Sequence, residues 1–251
     1  MVDNIEVNKL YHEDCIVGMD RIEDKSIDLI LTDLPYGSTK NRWDVVIPFD
    51  SMWKQYNRII KDNGAILLFC DGMFMADLMV SNKKMWRYNL VWNKVLTSGF
   101  LNANRMPLRQ TEEIAVFYKK LPTYNPQKTK GRPNHKRGTP KDVQSSNYNN
   151  YEFVDNSETL GDMKHPTSLI QISKPHPSTA VHPTQKPVEL LERLIKTYTN
   201  EGEIVLDSCA GSGSTIIAAI NTNRNWIAFE SNEEYYSIAT NRCLKKGDGR
   251  A

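Results

Sequence analysis

The chain has 251 residues, and its 32 Lys and Arg against 30 Asp and Glu give a formal net charge of +2. The 39% of hydrophobic residues and the five Trp supply enough apolar material for a large core, which excludes a wholly disordered protein. Apolar runs such as residues 65–70 fall well short of the roughly 20 residues that span a bilayer. The N-terminus lacks the basic and apolar regions of a signal peptide, so we expect a cytoplasmic protein with no membrane partner.

The four cysteines are far apart in the sequence and form no C-x-x-C pair. No His stands beside them at zinc-finger spacing, so the pattern argues against a disulfide framework and against a structural zinc site. We expect reduced thiols, as is usual for a cytosolic protein, and no bound metal.

The first part of the chain, residues 1–118, alternates between strand and helix patterns. Residues 26–33 form a short apolar run closed by a Pro and a Gly, which predicts a buried strand that ends at a turn. Apolar residues at helical spacing predict a helix over 50–60, and Asp62-Asn63-Gly64 would stop it. Further strands are expected over 65–70, 88–92 and 113–118.

The middle of the chain, residues 119–168, is polar and rich in Pro, Asn, Ser and Lys. Between Lys119 and Lys141 it carries eight basic residues and no acidic one. A stretch of this length without periodic apolar residues is unusual for a simple connection, so we expect it to have a function. Its charge favours a polyanionic partner.

The last part of the chain, residues 169–251, returns to regular patterns. Pro187 opens a predicted helix whose apolar residues recur at i, i+3, i+4 and i+7. A strand over 204–207, a Gly loop, a helix over 216–220 and a strand over 226–230 then form a βαβ unit. Alternation of strands and helices at both ends of the chain predicts an α/β fold, with one mostly parallel sheet covered by helices on both faces.

The Gly loop, residues 207–215, lies between a predicted strand and a predicted helix. Its glycines let the backbone approach a ligand, and the helix N-terminus offers N–H groups to an anion. Glu230 ends the next strand, where a carboxylate can accept both hydroxyls of an adenosine ribose. This context favours an adenosine-containing cofactor over a plain tight turn. Ile216 at the third glycine position weakens a nicotinamide site, and the absence of a Lys in the loop weakens a P-loop.

A second segment with chemical character, Asp33-Leu34-Pro35-Tyr36-Gly37, follows the first predicted strand. Open α/β sheets bind their ligands at the carboxyl ends of their strands. An Asp in such a place is often only a turn former. Here, however, an acceptor carboxylate, a rigid turn and an aromatic ring stand within four residues, which favours a functional role.

Three segments together resemble the S-adenosylmethionine-dependent DNA methyltransferases that methylate amino groups, in the β arrangement with the catalytic tetrapeptide before the cofactor loop. Asp33-Leu34-Pro35-Tyr36 resembles the family's Asp-Pro-Pro-Tyr, and residues 205–215 resemble its cofactor loop. His182-Pro183-Thr184-Gln185-Lys186-Pro187 resembles the segment that closes over the cofactor. In two places the chain departs from the family. Leu34 replaces a Pro that contributes its backbone carbonyl, and Ser208-Cys209 replaces Pro-Phe, which should loosen the packing around the cofactor adenine.

The resemblance implies a fold and a set of site residues. The fold is Rossmann-like and of class I, with a circularly permuted motif order, built from residues 1–118 and 169–251 around a target-recognition insertion over 119–168. The implied catalytic residues are Asp33, Leu34, Pro35 and Tyr36. The implied residues for S-adenosylmethionine are Asp14, Asp207, Cys209, Gly211, Gly213, Glu230, Thr184 and Lys186. Asp14 has an alternative reading as a helix cap. The basic residues expected to bind DNA in the insertion are Lys128, Lys130, Arg132, Lys136 and Arg137.

The resemblance also implies a mechanism. An exocyclic amine is a poor nucleophile because its lone pair is delocalised, and the Asp33 carboxylate and the Leu34 carbonyl would accept its hydrogens. The target base must leave the duplex to be reached, and Tyr36 would stack on it. In the family an acidic first residue goes mostly with adenine N6, so Asp33 favours adenine in double-stranded DNA.

Other functions stay open at this point. They are methylation of cytosine N4 or of an RNA base, a catalytically silent DNA-binding protein with a relic cofactor fold, and a nicotinamide oxidoreductase. The resemblance also implies two candidate protein partners, a second copy of the chain in a homodimer and a cognate restriction endonuclease.

Overall fold

A computed structural model of the protein describes residues 5–39, 41, 44–132, 161–175 and 185–247, with side chains as far as residue 244. The chain divides into two compact units. The larger unit combines Met1–Asn125 with Ser168–Ala251, and the smaller unit is Pro126–Thr167.

The larger unit is built on one eight-stranded sheet. Its strands are β1 (Lys9–Tyr11), β2 (Ile27–Asp33), β3 (Ile60–Cys70), β4 (Trp86–Ser98), β5 (Arg109–Phe117), β8 (Leu169–Gln171), β9 (Ile204–Asp207) and β10 (Asn225–Phe229). The helices are α1 (Cys15–Met19), α2 (Phe49–Ile59), α3 (Gly72–Ser81), α4 (Val188–Tyr198), α5 (Ser214–Asn221) and α6 (Glu233–Gly247), and a 3-10 turn covers Phe100–Asn102.

The strand order in the sheet is β1-β10-β9-β2-β3-β5-β4-β8. All neighbouring pairs are parallel except those of β5, which runs antiparallel to both β3 and β4. After β2 the chain continues to β3, which lies on one side of the β9–β2 pair. After β9 it continues to β10, which lies on the other side. The carboxyl ends of these two adjacent strands therefore border the crevice where such sheets bind ligands.

Strand β2 shows why the sheet is covered on both sides. Ile30 packs into one hydrophobic cluster with helix α2, while Leu29 and Leu31 pack into a second cluster with helix α4. Successive side chains of a strand point to opposite faces, so a strand buried on both faces is apolar almost throughout. The predicted sheet with helices on both faces is confirmed in this respect.

Several element boundaries differ from the sequence predictions. The helix predicted over 50–60 is α2, and it ends at Ile59 without a separate stop, because β3 begins at Ile60. The predicted stop at residues 62–64 is wrong, since it forms the irregular first part of β3, where the pairing with β2 shifts register. Pro187 does open a helix, as the N-cap of α4.

The smaller unit contains a two-stranded antiparallel ladder of β6 (Thr129–Lys130) and β7 (Met163–Lys164). Lys130 pairs with Asp162 at 3.4 Å. Lys128, Lys130 and Arg132 are all exposed. Lys136 and Arg137 lie outside the described residues. Across the described parts of both units, no helix is long and apolar enough to cross a membrane.

Candidate active site

Two acidic residues end the two central strands. Asp33 is the last residue of β2, and Asp207 is the last residue of β9. The hydroxyl of Thr32 donates to Asp207 Oδ1 at 2.7 Å and so links the two strand ends. The Asp33–Tyr36 segment and the Gly loop, which are far apart in the sequence, therefore start from neighbouring points at one edge of the sheet.

Both segments line a single cavity of about 1020 Å³. Its walls include most of the residues that the sequence singled out. They are Asp14, Asp33, Leu34, Pro35, Tyr36, Lys186, Asp207, Cys209, Gly211 and Glu230. Thr184 lies outside the described residues. Gly213 does not line the cavity.

Asp33 belongs to a network of charged and polar groups at one end of this cavity. Lys186 Nζ lies 2.6 Å from Asp33 Oδ2 and 2.8 Å from Glu112 Oε1. The Tyr36 hydroxyl donates to Asp33 Oδ1 at 3.0 Å and lies 3.3 Å from Glu112 Oε1. The exposed fraction of the side chain is 26% for Asp33 but only 10% for Lys186 and 13% for Glu112. Of these three charged side chains, Asp33 is therefore the most accessible to a ligand.

Burial and charge act together on the protonation of this network. Burial raises the pKa of Asp33 and the Glu112 charge adds to this, while the Lys186 ammonium opposes both. Burial lowers the pKa of Lys186, but the two carboxylates outweigh it, so that this pKa lies above its ordinary value. Burial and the Asp33 carboxylate also raise the pKa of Tyr36, so its phenol stays protonated and donates.

The Tyr36 ring is held in place by a second aromatic ring. It stacks on Phe74 of helix α3 with centroids 4.7 Å apart and planes 20° from parallel. The side chain remains partly exposed and lines the cavity. A ring supported on one face and accessible beside an acceptor carboxylate can hold a flat, hydrogen-bonding ligand.

The Gly loop brings its backbone to the other end of the cavity. Gly211 has a φ of +52°, and a Cβ added there would meet nothing within 4 Å. Its N–H donates to Glu230 Oε2 at 2.7 Å, while Glu230 Oε1 accepts from the Asn232 N–H at 2.8 Å. Burial raises the pKa of Glu230. Each carboxylate oxygen has a second lone pair, which leaves room to accept a ligand hydroxyl.

Asp207 is buried beneath this loop. Its Oδ1 accepts from Thr32 and, at 3.1 Å, from the Cys209 N–H. Burial raises its pKa to about 6. Its contacts hold the first turn of the loop against β2, which fixes the distance between the two ends of the cavity.

Asp14 caps helix α1, since its Oδ1 accepts from the N–H groups of Ile16 and Val17 at 2.8 and 3.2 Å. The reading as a helix cap is thus confirmed, and the same residue also lines the cavity. Within the described ranges, no three His, Cys, Asp or Glu side chains come together in a group that could hold a metal ion.

Sequence reasoning missed two members of the site. Glu112 comes from β5, an antiparallel strand, and Lys94 from β4 lies 3.8 Å from it at Glu112 Oε2. Burial lowers the pKa of Lys94. The only sign of Glu112 in the sequence is a Glu that stands just before the buried residues of β5. Its contacts could not be predicted from the sequence, because Lys186 and Tyr36 are far from it along the chain.

The chain is similar to known DNA methyltransferases in sequence. The sequence profile of the N6/N4 methyltransferase family, described as DNA methylase, matches residues 27–241. The type II methyltransferase M1.MboII of Moraxella bovis is 29% identical over 257 residues, covering 94% of this chain and 96% of its own.

Two solved structures share the fold. The crystal structure of the M1.HpyAVI–SAM complex matches with a TM-score of 0.61 at 24% identity, covering 93% of this chain and 98% of its own. The PvuII DNA methyltransferase, cytosine-N4-specific, matches with a TM-score of 0.68 at 17% identity, covering 95% and 87%. The family profile spans most of the chain, and with the cavity at the β2–β9 edge it identifies this protein as a member of the N6/N4 amino DNA methyltransferase family.

Proposed function

We propose that the protein transfers a methyl group from S-adenosylmethionine to the N6 amine of an adenine flipped out of double-stranded DNA. The observation that carries the proposal is the shared cavity. Asp33 stands at one end of it and the Gly211–Glu230 contact at the other, so an amine and a methyl donor bound there share one space.

The residues at the loop end fit the proposed cofactor. Gly211 leaves its backbone open to a ligand, and the Glu230 carboxylate beside it suits the two hydroxyls of a ribose. Asp207 holds the loop in place from below. S-adenosylmethionine would supply a methyl group bound to a cationic sulfur. The sulfur is a good leaving group because it departs as a neutral thioether, so the transfer needs neither a metal nor a covalent nucleophile.

The network at the other end fits the target amine. Asp33 would accept one N–H and the Leu34 carbonyl the other, which aims the nitrogen lone pair at the methyl carbon. The new N–C bond forms as the S–C bond breaks, and the nitrogen then loses one proton. The Asp33 carboxylate is the acceptor nearest to that proton, and burial raises its pKa in the direction that favours taking it. Tyr36, supported by Phe74, would stack on the base.

Lys186 has a different place in this proposal from the one that the resemblance implies. The resemblance puts it beside the methionine part of the cofactor. Its ammonium is bonded to Asp33 and Glu112. We assign it to the base end, where it binds Asp33 Oδ2 and orients the carboxylate, whose oxygens each keep a lone pair for the amine.

The exposed basic side chains of the smaller unit are proposed to bind the DNA. Lys128, Lys130 and Arg132 would neutralise DNA phosphates, in line with the target-recognition role expected for residues 119–168. A type II methyltransferase is among the relatives, which supports a restriction endonuclease as a partner in the cell.

The experiment that tests the proposal is product analysis. DNA and, in a parallel reaction, RNA are incubated with the protein and S-adenosylmethionine that carries a deuterated methyl group. Each nucleic acid is then digested to nucleosides and examined by mass spectrometry. We expect label in N6-methyladenine. Label in N4-methylcytosine would show that the target base is cytosine and not adenine, with the enzyme family unchanged. Label in RNA alone, or in neither nucleic acid, would contradict the proposal.

A further inference from the structure

The hairpin that joins β4 to β5 exposes large apolar side chains at its tip. The exposed fraction is 68% for Phe100 and 100% for Leu101, with Leu96 at 42% and Met106 at 50%. Clustered exposure of this kind is uncommon on a soluble protein without an interaction to cover it. We name residues 94–109 the β4–β5 tip.

The tip is a folded element that holds these side chains outward. Phe100–Asn102 form a 3-10 turn, and the N–H of Met106 donates to the Asn102 carbonyl at 3.0 Å. Gly99 enters the turn with a φ of +90°, a conformation that suits Gly. Val95 has a φ of +61°, which is costly for a β-branched residue. The hydrogen-bonded turn and the two left-handed residues give the tip a defined backbone conformation in which Phe100 and Leu101 are exposed.

The base of the tip borders the cavity of the active site. Lys94 and Ser98 line the cavity directly. Lys174, which also lines it, donates from Nζ to the Thr97 carbonyl at 3.1 Å and from its N–H to the Lys94 carbonyl at 3.2 Å. An object that enters the cavity beside Asp33 thus passes next to this hairpin.

The charge around the apolar end identifies the kind of partner. Residues 94–111 contain three basic residues and no acidic one. Arg105 and Arg109 are both exposed and follow Leu101 in the same hairpin. Arg109 also lies 3.5 Å from Asp71, and Lys94 lies 3.8 Å from Glu112. Such a surface attracts a polyanion. A second copy of the chain packed tip to tip would bring two basic segments together, which is unfavourable.

We propose that the β4–β5 tip enters DNA at the target site, where Phe100 and Leu101 occupy the gap left by the flipped base and Arg105 and Arg109 contact the flanking phosphates. This inference rests on the proposed function. Flipping a base costs unstacking and unpairing energy, and apolar wedges are the usual means of separating base steps. The tip would offset that cost beside the cavity that receives the base.

The test uses the full-length protein and a double variant, Phe100→Ser with Leu101→Ser. The matched control is Met73→Ser with Val80→Ser in α3, where the side chains are 74% and 61% exposed and line no part of the cavity. The recognition site is first read from the methylated DNA of expressing cells. Two duplexes are then compared, one with the target adenine paired and one with it opposite an abasic position, where no partner holds it.

For the tip variant we expect kcat/KM to fall at least 10-fold on the paired duplex and no more than about 3-fold on the abasic duplex, with the control unchanged on both. An equal loss on both duplexes, or no loss on the paired one, would overturn the inference while leaving the proposed function intact. An altered sedimentation coefficient together with equal losses would show that the tip is an interface between copies of the chain. Absence of methyl transfer by the wild type on either duplex would overturn the proposed function, and the inference with it.

Discussion

The central feature at the scale of single residues is the charge network around Asp33. Lys186 stands between two carboxylates, Asp33 and Glu112, with Nζ–O distances of 2.6 and 2.8 Å. Lys186 contacts one Asp33 oxygen, Oδ2, and the Tyr36 hydroxyl donates to the other. Glu112 shares the ammonium and adds negative charge that raises the pKa of Asp33. We propose that Glu112 is a positioning residue that acts through Lys186 and Asp33.

We expect Glu112→Gln to lower turnover roughly 10-fold and to move the acidic limb of the pH profile of kcat/KM to lower pH. The sign follows from the loss of a like charge, since the pKa of Asp33 falls when Glu112 no longer raises it. Asp33 then stays ionised in more acidic solution. The measurement is kcat/KM across pH 5 to pH 8.

Glu113→Gln is the matched control, because successive residues of a strand point to opposite faces and Glu113 does not line the cavity. We expect it to leave the pH profile unchanged. If Glu112→Gln lowered turnover without moving the acidic limb, its role would be structural only.

At this scale the sequence predicted the residues that stand in contiguous motifs. Asp33 and Tyr36 are three positions apart, and Cys209 and Gly211 share one loop, so a local pattern reveals these cavity-lining residues. Glu112 lies on a strand that runs antiparallel to its neighbours, and only strand pairing brings it to Lys186. A single sequence carries no local sign of such a pairing.

At the scale of elements, the cofactor loop depends on a close contact with helix α6. A Cβ added at Gly213 would lie 3.0 Å from Ala239 Cβ, and the φ of Gly213 is +77°. Gly202 has a similar φ of +81° but nothing within 4 Å of an added Cβ. An Ala substitution at Gly202 would therefore show the cost of a left-handed backbone alone. The same substitution at Gly213 would add the cost of crowding against Ala239.

We expect Gly202→Ala to lower the free energy of unfolding by about 1 kcal/mol, the order of the cost of a left-handed conformation for a residue with a Cβ. Gly213→Ala should lower it by about 1 kcal/mol more, because overpacking is added. Gly213→Ala should also weaken binding of S-adenosylmethionine. Urea titration and calorimetry measure the two effects. Equal destabilisation by both substitutions would show that the contact with α6 does not constrain the loop.

The element boundaries show where local patterns lose force. The buried apolar runs of β2 and β9 and the amphipathic pattern of α4 predict their elements well, because burial dictates the residue types there. Helix α3 is apolar on most of its positions, with no clear periodic face, and was missed. Strand β1 has three residues and depends on its pairing with β10, which lies at the other end of the chain.

At the scale of the whole molecule, the sheet joins the two ends of the sequence. Strands β10 and β9 come from the last fifty residues, yet β9 pairs with β2 from the first forty. The strand order was not predictable from local patterns, although the alternation of strands and helices predicted a mostly parallel sheet. The order explains why the tetrapeptide can precede the cofactor loop in the chain and still face it across one cavity.

The most direct measurement is a single-turnover assay of methyl transfer by Asp33→Ala, paired with calorimetric titration of S-adenosylmethionine. We expect the rate of methyl transfer to fall at least about 1000-fold, because Asp33 lies at the base end of the cavity and its loss would remove the positioning of the amine in the transition state. The dissociation constant for S-adenosylmethionine should stay within about 3-fold of the wild type. Asp33→Asn, which keeps the size but not the charge, should restore little of the rate. Near-normal transfer by Asp33→Ala would contradict the assignment of the cavity.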